Sequence, residues 1–291
     1  MNYSADFLNL SGTEHQELAA QRAINHKGDF LNLLKHANYP LKIELPPEAA
    51  RHAADVEIAH STTVIAVLYR DGVMIAGDRR ATAGTSVIYD RAEKVLQIDR
   101  HSVLAISGSP AIAYEIARIL EHSFQYFRRS QLQELSLEGK LRMLSRLIRE
   151  NLSMALQGIG GVIPIFALYD LNAIEDGNGG KIFFYDALGA HFENVDFATT
   201  GSGSIWIRGV LRYLSRFGET ALHEMDQRQA AITILRLLDI ASEYDAATSG
   251  YNAKVKIFPT VKTVTRTGVN TVSDDDLTDW YAEAQPEAGT V

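Results

Sequence analysis

The hydrophobic period of this chain switches several times, and the order of the switches limits the folds open to it. β-Branched apolar runs come in close pairs. Residues 62–69 and 73–76 are joined by Arg70-Asp71-Gly72, a hairpin signal. Residues 95–98 and 103–107 flank the polar turn Asp99-Arg100-His101. Two stretches of helical period follow. In the first, Ile112, Ile116, Ile119, Leu120, Phe124 and Phe127 recur at three- and four-residue spacing. The second runs from about 139 to 157, with Leu141, Leu144, Ile148 and Leu152 on one face, and stops at Gly158, Gly160 and Gly161. Strands return at 163–169 and 181–185, on either side of a loop at 172–180, and again at 197–200. Gly201-Ser202-Gly203-Ser204 then opens a helix over 205–215. Another helix covers 228–244, with Ala231, Ile234, Leu238 and Ala241 on one side. A last strand near 261–265 precedes Asp274-Asp275-Asp276, read as the start of a polar tail within a C-terminal stretch from about 270. Strands that arrive in hairpin groups, separated by pairs of helices, predict an α+β fold with mostly antiparallel sheets.

Residues 1–61 have a different character. Asp6-Phe7-Leu8-Asn9-Leu10 recurs as Asp29-Phe30-Leu31-Asn32-Leu33, either by chance between two amphipathic turns or as a duplicated contact motif. Pro40, Pro46 and Pro47 break helical continuation, because proline lacks the amide donor and restricts its predecessor. Composition narrows the chemistry further. The chain has no cysteine, which excludes disulfides, thiolate metal sites and a cysteine nucleophile. A net charge of −8 with no basic stretch argues against nucleic acid as a partner. Neither a signal peptide nor a membrane-length apolar run is apparent, so a cytoplasmic protein is expected. No Gly-x-Ser-x-Gly elbow, His-Glu-x-x-His helix, dinucleotide fingerprint or phosphate loop occurs, so no metal or cofactor is expected.

The chemistry-bearing residues fall at fixed distances from one strand start. His60-Ser61-Thr62-Thr63 breaks into the strand Val64-Ile65-Ala66-Val67. Two threonines at a strand head mean little alone, since threonine favours strands. Asp78, in Gly77-Asp78-Arg79-Arg80, lies 16 residues beyond Thr62, and Lys94 lies 32 beyond it. Further along come Ser107-Gly108-Ser109, Gly201-Ser202-Gly203 and Asp245-Ala246-Ala247-Thr248-Ser249-Gly250. In this order and spacing the motifs resemble the N-terminal threonine hydrolases, and specifically bacterial 20S proteasome β-subunits of the actinobacterial type. The resemblance spans 62–265, nearly the whole body.

That resemblance implies an N-terminal nucleophile hydrolase fold, a four-layer αββα sandwich. It implies a division into a propeptide, 1–61, and a catalytic domain, 62–291, separated by self-cleavage between Ser61 and Thr62; the leader's composition alone is equally compatible with a docking extension. Thr62 becomes the nucleophile, with its own freed α-amino group as the base. Lys94, held by Asp78, lowers the amine's pKa by its charge. Gly108 supplies the amide for the oxyanion, and Ser202, Asp245 and Thr248 surround the mature N-terminus. Thr82 pairs with substrate backbone; Ala81, Ala92, Ile106 and Tyr114 lie near the specificity pocket, which would favour apolar residues.

Four positions depart from the pattern. Thr248 stands where serine is commonest, and Ser249 replaces a glycine that would ease the backbone. Pro110 falls on a substrate-pairing position and has no N–H, which weakens that pairing or shifts its register. Ser61 stands where glycine usually precedes the threonine and tolerates the distortion of attack best, so serine either slows processing or prevents it and leaves a latent precursor. Implied partners are proteasome α-subunits and other β-subunits in seven-membered rings, an α7β7β7α7 core fed by an ATPase unfoldase ring with protein substrates, in some systems tagged. The alternative is a proteolytically silent ring subunit of the same fold; a further possibility is a bacterial relative of proteasome type outside the main group.

Overall fold

A computed structural model describes residues 62–83, 86–156, 160–173, 179–194, 196–252 and 255–284. The leader, its repeated DFLNL and Ser61 lie outside the described residues, as do residues 174–178 of the loop expected at 172–180.

Two five-stranded antiparallel sheets form the centre. The first has the order β10-β1-β2-β11-β12, built from β1 (Thr63–Tyr69), β2 (Gly72–Gly77), β10 (Phe197–Gly201), β11 (Thr260–Thr265) and β12 (Gly268–Thr271). The second has the order β5-β6-β7-β8-β9, from β5 (Val95–Asp99), β6 (Ser102–Ala105), β7 (Ile165–Tyr169), β8 (Gly180–Tyr185) and β9 (His191–Asn194). A short ribbon, β3 (Ala81–Ala83) with β4 (Ser86–Tyr89), stands apart from both.

Strand alternation sorts the core into three slabs. On β1, Val64 and Ala66 share a cluster with Val103, Ala105, Ile165 and Ala167 of the second sheet. The intervening Ile65, Val67 and Tyr69 turn the other way, into a cluster with α4 (Ser204–Phe217) and α5 (Gln227–Tyr244). On the second sheet Leu104, Phe166 and Leu168 face α1 (Pro110–Gln131) and α2 (Leu137–Glu150). Each sheet is therefore apolar on both faces, so two helices must cover each outer face. The layers run helices, sheet, sheet, helices, as expected.

The helices form where the apolar period lies, with local signals setting their ends. Pro110 opens α1 at a position where a missing N–H costs nothing. Asp226 caps α5 by accepting from the Gln229 amide, while the Gln229 side chain accepts from the Asp226 amide. The helix expected to run unbroken over 139–157 is two. It stops at Asn151, whose side-chain amide donates to the Leu147 carbonyl, and a short α3 (Leu152–Leu156) follows. The strand expected from 163 starts at Ile165, because Pro164 has no N–H for the ladder.

The polar tail is the largest correction. Residues 274–284 form α6 (Asp274–Ala284), with Leu277 buried and Trp280 and Tyr281 packed on the α5 side of the first sheet. The Ser273 hydroxyl accepts from the Asp276 amide, and three aspartates sit where the helix N-terminus favours negative charge. Among the described residues no helix is long and apolar enough to cross a membrane.

Candidate functional site

Asp78 sits immediately beyond β2, and the β1–β2 register puts it beside the head of β1. Val64 pairs with Gly77, so the next step outward brings Thr63 opposite Asp78. Their backbones bond, the Asp78 amide donating to the Thr63 carbonyl at 3.1 Å. The Asp78 side chain has no solvent exposure and accepts four hydrogen bonds. Oδ1 takes the Thr63 amide at 2.8 Å and the Lys94 ammonium at 2.7 Å. Oδ2 takes the amides of Arg80 at 3.0 Å and Ser249 at 3.2 Å. Lys94, just before β5, is buried too. Burial pushes the Asp78 carboxyl above the ordinary carboxylate range, opposed by the charge and hydrogen bond of Lys94 and by the Thr63 and Arg80 amides. Burial likewise draws Lys94 below the ordinary lysine range, while Asp78 pulls it back.

Thr62, itself buried, precedes β1, and its carbonyl accepts from the Ser202 amide at 3.0 Å. β10 crosses close by. A side chain at Gly201 would bring its first carbon within 1.7 Å of the Thr62 carbonyl oxygen, and the residue's φ is +97°, so only glycine fits there. Ser202 and Thr248 both donate to Asp245 Oδ2 at 2.6 Å. Thr248, fully buried, also meets the Thr63 hydroxyl at 2.6 Å, and the Gly203 amide donates to that same hydroxyl at 3.0 Å. Ser249 needs no left-handed backbone, since among the described residues outside glycine only Leu132 and Lys256 have positive φ. Its hydroxyl accepts from the Arg79 amide at 3.2 Å. The strain expected from losing glycine at 249 is therefore absent.

Gly108 has φ +107°, and a side chain there would meet the Gly161 carbonyl oxygen at 2.0 Å. It pairs with Val162, but the bonds of that bridge come from its neighbours, Ser109 N–H to the Gly161 carbonyl and Ile163 N–H to the Ser107 carbonyl. The Gly108 amide is not spent in the pairing. A cavity of about 280 Å³ gathers Thr62, Lys94 and Gly108 with Ala81, Ala92, Ile106, Pro110 and Tyr114. Its surface is mainly apolar. Thr82 is buried on β3, at the base of the ribbon that carries Tyr89 into the same cavity.

All the site residues expected from the sequence at 62–248 thus gather in one region. They form two groups: Asp78–Lys94 with the cavity, and Ser202–Asp245–Thr248. Sequence reading missed Thr63, which touches both groups, and Tyr89 and Arg91, which line the cavity. For Thr63 the signal is the second threonine itself, which strand preference explains equally well. Tyr89 ends β4 and Arg91 lies just beyond it, and a four-residue strand exposed along its length has no alternation to detect.

The family described as Proteasome subunit matches residues 58–258. "Proteasome subunit beta" of Acidothermus cellulolyticus is 40% identical over 221 residues, 76% of this chain and 74% of that one. "Proteasome subunit beta 2" of Thermomonospora curvata is 40% identical over 221 residues, covering 76% and 75%. "Proteasome subunit beta" of Streptomyces griseus is 35% identical over 248 residues, covering 85% and 83%. On matches of this length the chain belongs to the proteasome subunit family, on its β side.

Proposed function

We propose that this chain is a threonine-type endopeptidase whose nucleophile, Thr62, is exposed by cleavage after Ser61. The observation that carries the reading is the buried Asp78–Lys94 pair, which fixes the Thr63 backbone and lies next to an apolar cavity reaching Thr62 and Gly108. Such a pair is expensive to bury and contributes little stability over an apolar substitute, so its position beside a cavity that Lys94 lines speaks for chemistry.

Once the leader is gone, the Thr62 α-amino group titrates near neutrality, and the charge of Lys94 lowers it further. Thr62 Oγ attacks the substrate carbonyl carbon as its proton passes to that amine. The oxyanion takes the Gly108 N–H. The tetrahedral adduct then collapses: the C–N bond breaks, the leaving amine takes the proton, and an acyl ester on Thr62 remains. Water, deprotonated by the same amine, hydrolyses the ester. Substrate backbone lies along β3 at Thr82, with an apolar side chain before the cut seated among Ala81, Ala92, Ile106 and Tyr114. At Pro110 the strand-like pairing lacks one donor.

A peptidase of broad specificity has to be sequestered, which fits α- and β-subunits stacked as seven-membered rings in an α7β7β7α7 core. An ATPase unfoldase ring would deliver protein substrates in the cytoplasm, some of them tagged. The test is the intact mass and N-terminal sequence of the chain co-expressed with its α-subunit. A chain starting at Thr62, with Thr62→Ala left uncut and inactive, is expected. A full-length wild-type chain in assembled particles would overturn self-maturation and favour the latent or silent subunit that Pro110 and Ser61 suggest.

A further inference from the structure

We propose that Thr63 is a positioning residue that locks the two halves of the site together; the proposal rests on the reading of Thr62 as nucleophile. Thr63 is fully buried. Through its N–H it is tied to Asp78 Oδ1, the oxygen that also receives Lys94. Through its hydroxyl it is tied to Thr248 and Gly203. One residue thus bonds to both groups from the position next to the nucleophile.

Counting protons gives the hydroxyl bonds a single direction. A carboxylate only accepts, so at 2.6 Å Thr248 spends its one proton on Asp245 Oδ2. Towards Thr63 it must therefore accept. Thr63 in turn spends its one proton on Thr248, and its oxygen accepts the Gly203 N–H at 3.0 Å. The chain runs Gly203 N–H to Thr63, Thr63 to Thr248, Thr248 to Asp245, and no member can turn without leaving a buried group unpaired. Ser202 reaches the same Asp245 oxygen from the other side, and its amide holds the Thr62 carbonyl. The Thr62 carbonyl is thus held by the Ser202 amide, and the residue that follows Thr62 is held by Asp78 through its N–H and by Thr248 and Gly203 through its hydroxyl. This gives the second threonine a function that strand propensity does not supply.

The test uses the assembled, α-subunit-containing particle and three variants: Thr63→Val, which keeps the shape and removes the hydroxyl, Thr63→Ser, which keeps the hydroxyl, and Thr62→Ala. Assembly is checked by native mass, and kcat and KM for a fluorogenic peptide are expressed per chain beginning at Thr62. Thr63→Val should assemble and lose about 10- to 100-fold in kcat with KM within a few-fold of wild type, the scale of a lost orientation. Assembly with leader cleavage blocked would support the proposal equally, because cleavage needs the same orientation of Thr62. Thr63→Ser should recover most of the loss. A Thr63→Val particle with wild-type kcat and normal cleavage would overturn it. So would Thr63→Ser as impaired as Thr63→Val, which would assign the effect to packing of the methyl group. Should Thr63→Val fail to assemble, Thr63→Ser still decides through its pH profile. A wild-type profile and rate keep the hydroxyl role, and a shifted, slowed one removes it. Activity in Thr62→Ala would instead sink the nucleophile reading itself, an outcome separate from any result at Thr63.

Discussion

Removing one member of the Asp78–Lys94 pair is expected to cost far more than removing both charges allows by simple addition. The two side chains are essentially out of solvent, with 0% and 5% exposure. Lys94→Met leaves a carboxylate in that space with amide donors but no counter-charge, a loss of about 3–5 kcal/mol. Asp78→Asn strands the ammonium and adds a second fault. If the asparagine oxygen keeps the Thr63 amide, its NH2 group faces the Arg80 and Ser249 N–H groups, now at 3.0 and 3.2 Å from a carboxylate oxygen. Donor against donor leaves buried groups unpaired, about 1–3 kcal/mol more. Asp78→Asn should therefore be the worse single variant. The double variant has no buried charge and retains only that second fault, so both stranded-charge terms drop out and it should be more stable than the sum of the singles by more than about 3 kcal/mol.

Urea unfolding of the unassembled full-length chain, followed by circular dichroism with the four members of the cycle side by side, measures these terms. Additivity within about 0.5 kcal/mol would refute the reasoning, since it would mean the two charges do not depend on each other. Lys94→Met outdoing Asp78→Asn would refute the account of the Asp78 oxygens. The double variant, reassembled with α-subunits, should be the informative one for chemistry: folded, and without peptidase activity.

Further outcomes follow from other residues. Gly201→Ala forces a side chain against the Thr62 carbonyl at a φ of +97°; strain of about 1–3 kcal/mol should accompany a much larger drop in peptide hydrolysis, read as kcat beside a thermal melt. Pro110→Ala restores an N–H at a helix-opening position and should raise kcat/KM about two- to tenfold for extended peptides, the worth of one hydrogen bond; an unchanged kcat/KM would remove Pro110 from the substrate path. On the proposed reading of Thr62 as nucleophile and base, peptidase kcat/KM should rise with pH through an amine pKa below the ordinary value of about 7.7–8.0, because a protonated amine could not act as base and the charge of Lys94 would depress it; a kcat/KM flat across about pH 6–8 would refute that role. Away from the site, burial alone would raise Asp99, but Lys140 at 2.6 Å, then Ser102 and the His101 amide, hold its carboxyl below the ordinary range. A depressed carboxyl contributes stability that is present above its unfolded value, about 3.9, and is lost as pH falls through the folded value. Acid unfolding should therefore steepen below pH 4 in the wild type, and Lys140→Met should flatten that limb; identical acid limbs would refute the pairing.

The sequence showed most of the sheets and helices because period and turns are local properties. Where they failed, the apolar signal was short or one-sided. β3 and β4 have seven residues between them, and β4 is exposed along its length, so no alternation marks it. α6 carries three large apolar residues behind three aspartates, and composition hid a helix whose apolar face meets the rest of the fold only in three dimensions. In sequence Ser249 looks like a backbone fault because glycine is permissive; the fold instead uses its hydroxyl and amide as partners for Arg79 and Asp78.

The site was legible in proportion to how directly topology converts spacing into distance. Asp78 lies 16 residues after Thr62 because one hairpin, with Val64 opposite Gly77 and Tyr69 opposite Gly72, returns the chain to its starting point. That spacing cannot change by one residue without turning every side chain of β2 over, which would empty the slab between the sheets of Val73 and Ile75. Lys94 is fixed almost as tightly, since Val95 enters that same slab and the Ile106 amide binds the Lys94 carbonyl. Ser202 follows β10 and Thr248 follows α5, beyond three and five helices respectively and several loops whose lengths no packing rule ties to Thr62. Short motifs alone locate them in the sequence. Thr63 is the reverse case: no spacing singles it out, since it adjoins Thr62, and only the three-dimensional bond pattern separates its role from that of any strand threonine. Substituting it is accordingly the experiment in which sequence pattern and geometry make different forecasts: a threonine valued for strand propensity tolerates valine, and a threonine valued for its proton does not.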